Sequence, residues 1–453
     1  MLTKRLSRRD FLRTAALAGA GVALTLAGCK KEEPTPETTT TAGEPEGELR
    51  CQILQGYPVE IVNELMAAAF TAKYPKVKVK FEYITGDRAE MAYAGAAAGN
   101  LADVVWSADL WVVAFAKAGV TLDLKPLATA DANFDINDIF ESMLGLGTFN
   151  GEVHMFPSSL DVVTMYYNKT MFEQAGAQLP TEDWTWDNLV TECQKITAME
   201  KDDNGNPMYW GLSHASNGVW GWWPAYYAWI VGYGGKILDN GKSTWSDPKT
   251  IAGLKAYTDL WLKHNIAQPL GMDLGGDSFL LGRSAIYTHI PGQRSGVRTN
   301  VADKFEWDCQ IMPKMPDGKH RTGMGAWGMS VYSKAKMPEM AVEYVKSMVS
   351  GPIQLLMARK ELGTPLVKSV ANDPAWMEGL PTPPQNYAAF VKGADDAILP
   401  VMDYPADCGS FYAGELASGI STMLESVLRG VTTLEAACAE LDAQTQACLD
   451  ENA

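Results

Sequence analysis

Tryptophan and aspartate side chains that follow apolar runs are the clearest candidates for ligand chemistry in this sequence. Trp106 ends the apolar run that starts at Asp103, and Asp109 follows three residues later. An indole ring can stack on the apolar face of a sugar, and a carboxylate can accept hydrogen bonds from two hydroxyl groups. The alternative is structural, with Trp106 closing a core and Asp109 capping the next helix.

A third candidate, Asp161, lies in a run that predicts two strands around a polar break. Asn150-Gly151 is a type I′ hairpin signal, residues 152–156 then predict a strand, and Pro157 ends it because proline cannot donate to a ladder. Residues 162–167 predict the second strand. Taken alone, the run fits either a kinked core hairpin or a chain crossing between two lobes, with Asp161 facing the gap.

A ten-residue stretch, 220–229, holds six large aromatic side chains. On a helix these side chains would cover two neighbouring faces, and only one of the two can belong to a core. An exposed aromatic face is costly without a ligand or partner. The pattern predicts a binding wall that includes Trp220, Trp222, Trp223 and Tyr227, and the alternative is ordinary packing.

The elements around Trp106 alternate between strand and helix patterns. Residues 49–54, 77–83 and 103–106 are strand-like, and a helix-like segment follows each of them. This order predicts an α/β fold with a doubly wound parallel sheet, in which ligands bind beyond the carboxyl ends of the strands. Two of these ends supply three more candidate binding residues: Gln55, Tyr57 and Asp87.

The glycine-rich segment 323–328 matches G-x-G-x-x-G, but its context does not predict a dinucleotide site. That site needs a strand before the motif and a helix after it. Here a charged turn precedes the motif and the strand-like residues 329–332 follow it. The glycines would instead let the backbone approach a ligand beside Trp327, which makes Trp327 a further candidate.

Charge and motif content narrow the function. The first 28 residues hold five Lys/Arg and one Asp, and the remaining chain has 33 basic and 53 acidic residues. This acidic balance argues against nucleic acid as a partner. The five histidines show no H-x-x-x-H spacing and G-x-S-x-G is absent, so neither an enzyme nor a metal or other cofactor is expected. The strongest enzyme alternative is a secreted glycosidase that uses Asp109 and Asp161 as its two carboxylates.

The N-terminus predicts export and lipidation. Arg8-Arg9 lies in a twin-arginine pattern, an apolar run follows from Ala15 to Ala27, and Leu26-Ala27-Gly28-Cys29 is a lipobox. Residues 1–28 are therefore expected to be a signal peptide, with a lipid on Cys29, and 29–48 a disordered tether because they contain almost no apolar side chains. The alternative is a plain N-terminal anchor helix.

Six further cysteines could form disulfides in an oxidising compartment, but the sequence does not give their connectivity. Cys438 and Cys448 lie in one helical pattern, roughly 15 Å apart along its axis. They cannot pair across an intact helix, because a disulfide needs Cα atoms within about 7 Å.

Two blocks of this sequence, 98–109 and 151–176, resemble the signature blocks of bacterial extracellular solute-binding proteins of the maltose-binding kind. Further ordered blocks cover nearly all of the chain after Arg50. The resemblance implies a type II, two-lobe periplasmic-binding-protein fold, with a doubly wound sheet flanked by helices in each lobe. The implied N-terminal lobe comprises 49–155 and 308–364, and the C-terminal lobe comprises 156–307 and 365–453.

The resemblance also implies function. The family captures a sugar or oligosaccharide between its lobes and delivers it to the permease subunits of an ABC importer, so a lipid-anchored monomer on the outer face of the cytoplasmic membrane or in the periplasm is expected. Where maltose-binding relatives carry a sugar-stacking tryptophan, this chain has Pro291–Arg294. Either Arg294 or Gln293 replaces it with polar contacts, or the stretch Trp220–Tyr227 supplies the ring instead. Tyr404 would line the second lobe. Alternative ligands are a glycerol phosphate ester, a polyamine or another small polar solute.

Overall fold

The computed structural model describes residues 44–56, 58–213, 225–399, 403–412 and 418–452. Its contacts divide the chain into Met1–Glu44 and Pro45–Ala453, and all elements below belong to the second unit. Within the described ranges, no helix is both long and apolar enough to cross a membrane. The predicted signal peptide and Cys29 lie outside the described residues.

The strands in chain order are β1 (Gly47–Ile53), β2 (Val77–Tyr83), β3 (Val104–Ala108), β4 (Thr148–Phe149), β5 (Glu152–Val153), β6 (Phe156–Pro157), β7 (Asp161–Val162), β8 (Thr164–Asn168), β9 (Trp210–Leu212), β10 (Leu238–Asp239), β11 (Lys242–Ser243), β12 (Ser284–His289), β13 (Trp307–Gln310), β14 (Thr322–Gly325), β15 (Trp327–Val331) and β16 (Ala397–Ile398).

The α-helices are α1 (Val59–Lys73), α2 (Arg88–Ala97), α3 (Asp109–Lys117), α4 (Lys125–Thr129), α5 (Glu141–Leu146), α6 (Lys169–Gln174), α7 (Trp186–Thr197), α8 (Ala225–Gly232), α9 (Pro248–Leu262), α10 (Arg294–Val301), α11 (Pro338–Met348), α12 (Gly351–Arg359), α13 (Lys368–Ala371), α14 (Ala389–Lys392), α15 (Ser418–Leu428) and α16 (Leu434–Glu451). Short 3₁₀ turns are at Ile136–Asp138, Pro291–Gln293, Pro374–Met377 and Ala406–Phe411.

A five-stranded sheet in the order β2-β1-β3-β15-β6 forms the first lobe. β1 pairs in parallel with β2 and with β3, as the alternating strand and helix patterns predicted. One strand differs from that prediction, because β15 is antiparallel to both of its neighbours, β3 and β6. β3 is buried along its whole length, since the returning strand β15 covers the edge that would otherwise be open.

A four-stranded sheet in the order β13-β8-β12-β9 forms the second lobe. β12 is parallel to β9 and antiparallel to β8, and β13 is antiparallel to β8. The whole of β13 lies in this sheet, three residues beyond the lobe boundary predicted after Trp307. Beside the sheet, helix α7 begins at a capping box in which Thr185 and Asn188 bond each other's backbone.

The chain between the two sheets contains the predicted polar break. Asn150 and Gly151 have φ angles of 51° and 84°, which fits the predicted type I′ turn, and β4 pairs with β5 across it. β6 joins the first sheet and β8 joins the second, so the two strands around the break belong to different lobes. Between them, β7 pairs with β14, and β14 pairs with β16.

The two lobes have separate hydrophobic cores. Buried side chains of β1, β3, β15 and helix α11 contribute to one core. Buried side chains of α7, α8, α9 and the C-terminal helices contribute to another. A disulfide of 2.05 Å links Cys408 to Cys448 on helix α16. The sequence excluded a Cys438–Cys448 pair, and Cys438 is indeed a buried free thiol.

Candidate functional site

Trp106 is the middle residue of β3 and belongs to the first core. Its side chain is 5% exposed, and its ring meets the ring of Trp111 edge-on at 5.5 Å. The Arg88 guanidinium lies 5.2 Å from the centre of the Trp106 ring. These contacts fit the structural alternative, in which Trp106 closes the core of the first lobe.

Asp109 begins helix α3 and connects it to a distant segment of the chain. Its Oδ1 accepts a hydrogen bond from the Leu110 amide at 2.8 Å, and its Oδ2 accepts one from the Ala326 amide at 3.1 Å. The Asp109 amide in turn donates to the Ala326 carbonyl at 3.1 Å. A carboxylate in the first turn also interacts favourably with the helix dipole, so Asp109 holds the helix start against Ala326.

The segment Gly325–Trp327 brings the candidate residues of the two lobes together. Gly325 pairs with Asp161 in the β7–β14 ladder, and Trp327 pairs with Ala108 in the first sheet. Ala326, between them, is the partner of Asp109. Trp327 is half-buried and packs against the first core. Two predicted residues, Asp161 and Asp109, thus contact the backbone of the segment Gly325–Trp327. The third, Trp327, belongs to the segment itself.

Asp161 is buried on the crossing between the lobes, with 8% of its surface exposed. Its Oδ2 accepts a hydrogen bond from the Ser159 hydroxyl at 3.0 Å, and its Oδ1 has no hydrogen-bond partner among the residues that the structure describes. Burial raises the pKa of the Asp161 carboxyl to about 6, although the Ser159 hydrogen bond and the charge of Arg294 act in the opposite direction. A ligand that donates to this carboxylate would offset the cost of burying it.

Arg294 lies in a buried network that supports the recrossing of the chain. Its side chain is 1% exposed, and its Nε lies 3.3 Å from Glu361 Oε1. One terminal nitrogen donates to the Pro291 carbonyl at 2.9 Å and the other to the Gly363 carbonyl at 3.3 Å. These contacts give Arg294 a structural role, and its role as a ligand group stays a prediction.

The residues at the ends of β1 and β2 are exposed. Gln55 follows β1, and Asp87 caps helix α2 by accepting a hydrogen bond from the Glu90 amide at 3.0 Å. They share a sheet edge with Trp106, because β1, β2 and β3 are parallel. Four further predicted residues lie outside the described residues: Tyr57, Trp220, Trp222 and Trp223.

Two of the predicted binding residues are tyrosines of the second lobe. Tyr227, on helix α8, is half-buried and packs against the second core. Tyr404 stacks on Tyr412, with ring centres 4.9 Å apart. Burial, with a smaller contribution from the Asp109 carboxylate, raises the pKa of Tyr404 to about 12, which places this second-lobe phenol within electrostatic range of a first-lobe acid.

An ion pair lies beside Tyr404. Lys117 Nζ, at the end of helix α3 in the first lobe, lies 2.7 Å from Asp403 Oδ1. Sequence reasoning missed this contact and also missed the roles of Ser159 and Ala326. No local pattern signals them, since Ala326 and Asp109 are 217 residues apart and the Ala326 contact uses only the backbone. Within the described ranges, no group of three or more acidic, histidine or cysteine side chains is placed to hold a metal ion.

The fold has many counterparts among solved structures. A cyclic α-maltosyl-1,6-maltose binding protein from Arthrobacter globiformis superposes with a TM-score of 0.74 at 18% identity, covering 90% of this chain and all of that one. An ABC substrate-binding protein from Listeria monocytogenes, solved with cycloalternan, gives 0.69 at 19% identity with the same coverage. Mycobacterium tuberculosis UgpB, solved with glycerophosphocholine, gives 0.68 at 20% identity and covers 90% and 99% of the two chains. These likenesses establish the two-lobe type II fold.

Comparisons of the sequence lead to the same family of proteins as the comparison of folds. A curated protein of Brucella abortus (strain 2308), named only for a binding role, is 26% identical over 215 residues, which are 46% of this chain and 47% of that protein. The match thus spans about half the length of the curated relatives. The family model for bacterial extracellular solute-binding proteins matches residues 56–354, well over half of the chain. This protein therefore belongs to the bacterial extracellular solute-binding protein family.

Proposed function

We propose that this protein captures a sugar or oligosaccharide between its two lobes and delivers it to an ABC importer. The observation that carries the proposal is the convergence of Asp161, Asp109 and Trp327 along the segment Gly325–Trp327, where the chain passes from β14 to the first sheet. A ligand at this position would contact both lobes, and its binding would favour hinge closure.

The side chains at this position suit a polyhydroxylated ligand. Asp161 has a carboxylate oxygen that lacks a hydrogen-bond partner among the described residues, and it could accept hydrogen bonds from hydroxyl groups. Trp327 is half-buried and could stack on a sugar ring. Tyr404 offers a phenol, which can both donate and accept. The aromatic residues 220–223 could extend this surface.

The predicted N-terminus supports an extracytoplasmic location. We infer export by the twin-arginine route and a lipid on Cys29 that holds the protein at the outer face of the cytoplasmic membrane, as a monomer. Mass spectrometry of the mature protein should find Cys29 as the first residue and a lipid on it, Cys29→Ser should lose this lipid, and Lys substitutions at Arg8 and Arg9 should block export. A mature protein without a lipid on Cys29 would refute the lipid anchor.

The alternatives differ in charge and chemistry. Two carboxylates, Asp109 and Asp161, disfavour a glycerol phosphate ester and favour a cationic solute such as a polyamine. A glycosidase needs one free carboxylate as an acid and another as a nucleophile or base. Both oxygens of Asp109 accept hydrogen bonds from backbone amides, which argues against an acid–base role. The absence of catalysis is part of the proposal, and glycan hydrolysis by the purified protein would refute it.

A ligand screen tests the proposal. Thermal shifts should be measured for the full chain with a panel of mono- and oligosaccharides, polyamines and glycerol phosphate esters, followed by calorimetry on each hit. A sugar should raise the melting temperature, and Asp161→Ala should weaken its binding by roughly 1–3 kcal/mol because the ligand hydroxyls lose their acceptor. Asp203→Ala, on an exposed turn, is the matched control. Stabilisation by a polyamine and by no sugar would overturn the proposed ligand class.

A further inference from the structure

A cation of the first lobe lies over the ring of Trp106. Arg88 begins helix α2 just beyond the carboxyl end of β2, at the sheet edge where ligands of α/β folds bind. Its guanidinium lies over the Trp106 ring, 5.2 Å from the ring centre, and the ring of Trp111 meets the same indole edge-on. Because Trp106 is 5% exposed, little of its ring is left for a sugar to stack on.

The guanidinium of Arg88 has no acceptor within the described ranges, although the side chain is half-buried. The carboxylate of the neighbouring Asp87 accepts a hydrogen bond from the Glu90 amide instead, at 3.0 Å. Most arginines in the described part of the chain do donate to an oxygen atom: Arg50, Arg294, Arg298, Arg321, Arg359 and Arg429. Since donors that are partly removed from water need acceptors, the N–H groups of Arg88 are available to a ligand.

A second arginine shows the same arrangement at the opposite end of a sheet. Arg283 lies over the Tyr209 ring, 5.3 Å from its centre, and this half-buried side chain also has no acceptor among the residues that the structure describes. Tyr209 and Arg283 immediately precede the parallel strands β9 and β12. They therefore lie at the amino ends of these strands, away from the edge where ligands bind. The position of Arg88, and not its contact with a ring alone, is what points to a ligand.

Arg88 is also near the site proposed above. Trp106 is two residues, roughly 7 Å along a strand, from Ala108, which pairs with Trp327. An oligosaccharide at Trp327 would extend along this edge to Arg88. Its hydroxyl groups would accept from the guanidinium and donate to the Asp161 carboxylate. A polyamine would meet a like charge at Arg88, and an anionic solute would meet one at Asp161.

We propose that Arg88 is a ligand-binding residue that donates hydrogen bonds to two adjacent hydroxyl groups of the bound sugar, and that Trp106 holds it in place. A planar guanidinium presents paired N–H donors in a fixed geometry, which suits two neighbouring oxygen atoms. The ring attracts the cation electrostatically, so Trp106 is a positioning residue. The inference rests on the proposed sugar-binding function and adds a specificity-determining residue to its site.

Calorimetry on the full chain, with the sugar that the thermal-shift screen identifies, measures the contribution of Arg88. Arg88→Ala should weaken binding about tenfold or more, the loss expected when hydrogen bonds from a charged donor are removed. Arg88→Lys keeps the charge without the paired donors and should recover only part of the affinity. Arg283→Ala is the matched control and should leave the affinity unchanged. Urea denaturation should give both alanine variants the stability of the wild type, because neither loses a hydrogen bond between described residues.

Ligand analogues separate a direct contact from an effect on the fold. Monodeoxy forms of the same sugar each lack one hydroxyl group. At least one of them should bind the wild type about tenfold more weakly than the parent sugar does, and the difference should fall to about threefold or less in the Arg88→Ala variant. If every monodeoxy form lost the same affinity in both proteins, Arg88 would not contact the sugar.

A second comparison tests the role of Trp106. Trp106→Met fills much of the space without an aromatic face, so it should weaken binding of the sugar to the wild type. It should have little further effect in the Arg88→Ala variant, because the contribution of Trp106 passes through the arginine. Additive losses in the double variant would contradict the positioning role and place the Trp106 ring on the sugar itself.

The remaining outcomes distinguish the inference from the proposed function. If a sugar binds and its affinity for Arg88→Ala equals that for the wild type, the inference is wrong and the proposed function stands. If Arg88→Ala and Arg283→Ala weaken binding equally, the loss comes from the changed net charge and the inference is again wrong. If no sugar binds the wild type, the proposed function fails and the inference fails with it.

Discussion

The buried carboxyl of Asp161 should make the stability of the ligand-free protein depend on pH. Burial raises its pKa from 3.8 to about 6, so the folded protein favours the protonated form. The stability contributed by this group is fully present below about pH 4 and is lost as the pH rises through 6. At 1.36 kcal/mol per pKa unit, the ionised group costs the folded state about 3 kcal/mol at pH 8.

Asp161→Asn removes this cost, because the amide is neutral at every pH and can still accept the hydrogen bond from Ser159. The variant should be about 3 kcal/mol more stable than the wild type at pH 8 and nearly equal to it at pH 4. Urea denaturation of the ligand-free protein, followed by circular dichroism at half-unit steps between pH 4 and 8, measures the difference.

Asp203→Asn makes the same chemical change on an exposed turn and should leave stability unchanged across this range. A constant difference between the Asp161→Asn variant and the wild type at all pH values, or a less stable variant at pH 8, would refute the reasoning. A bound ligand should reverse the trend for the wild type, since donors from the ligand favour the ionised form. Ligand affinity should therefore be higher at pH 8 than at pH 5.

Three further substitutions test the fold around the site. Gly328→Ala would place a Cβ atom 2.3 Å from the Phe156 carbonyl oxygen, so β15 and β6 would have to separate and thermal denaturation should show a loss of about 3 kcal/mol or more. Cys448→Ser opens the disulfide, whose cysteines are 40 residues apart, and urea denaturation should show a loss of about 4 kcal/mol. Glu361→Gln removes the carboxylate that pairs with the buried Arg294 and, through two hydrogen bonds, with Arg298, and it should cost about 3 kcal/mol by the same measurement, with ligand affinity largely kept.

Each of these substitutions has a control. Gly296→Ala lies in helix α10, where the nearest atom to the added Cβ is 3.5 Å away, and it should not destabilise the protein. A reducing agent should lower the stability of the wild type and should not affect the Cys448→Ser variant. Glu173→Gln, at an exposed position, should change stability by less than about 0.5 kcal/mol. If Glu361→Gln left stability intact and abolished ligand binding, Arg294 would belong to the ligand site.

Local patterns in the sequence were sufficient to predict many of the strands and turns of the first lobe. Alternation between apolar and charged residues located β2, and the Asn150-Gly151 turn follows from short-range preferences. The polar break at Ser158-Ser159 correctly separated a strand of one sheet from a strand of the other. These features depend on side chains within a few residues of one another, which is why the sequence alone could predict them.

Contacts between distant segments could not be predicted in the same way. The antiparallel strand β15 enters the first sheet more than 200 residues after β3, and no periodicity in either strand specifies this pairing. The sequence suggested that a ligand approaches the glycine-rich segment closely, and the structure shows that the backbone of β6 does so at Gly328. The contact of Arg294 with Glu361, 67 residues away, could not be predicted because it is not visible from local spacing.

The Cys408–Cys448 bond closes a covalent ring of chain that begins beside the Tyr404–Tyr412 stack and ends on the last helix. A single backbone cut inside this ring would leave both fragments joined through sulfur. A protease that nicks the ring would therefore not release the Tyr404 segment from helix α16, and the nicked protein would run as one species on a denaturing gel until it is reduced. If the protein is exported as proposed, to a compartment where disulfides persist, this bond would keep the Tyr404 segment attached to helix α16 after such a cut.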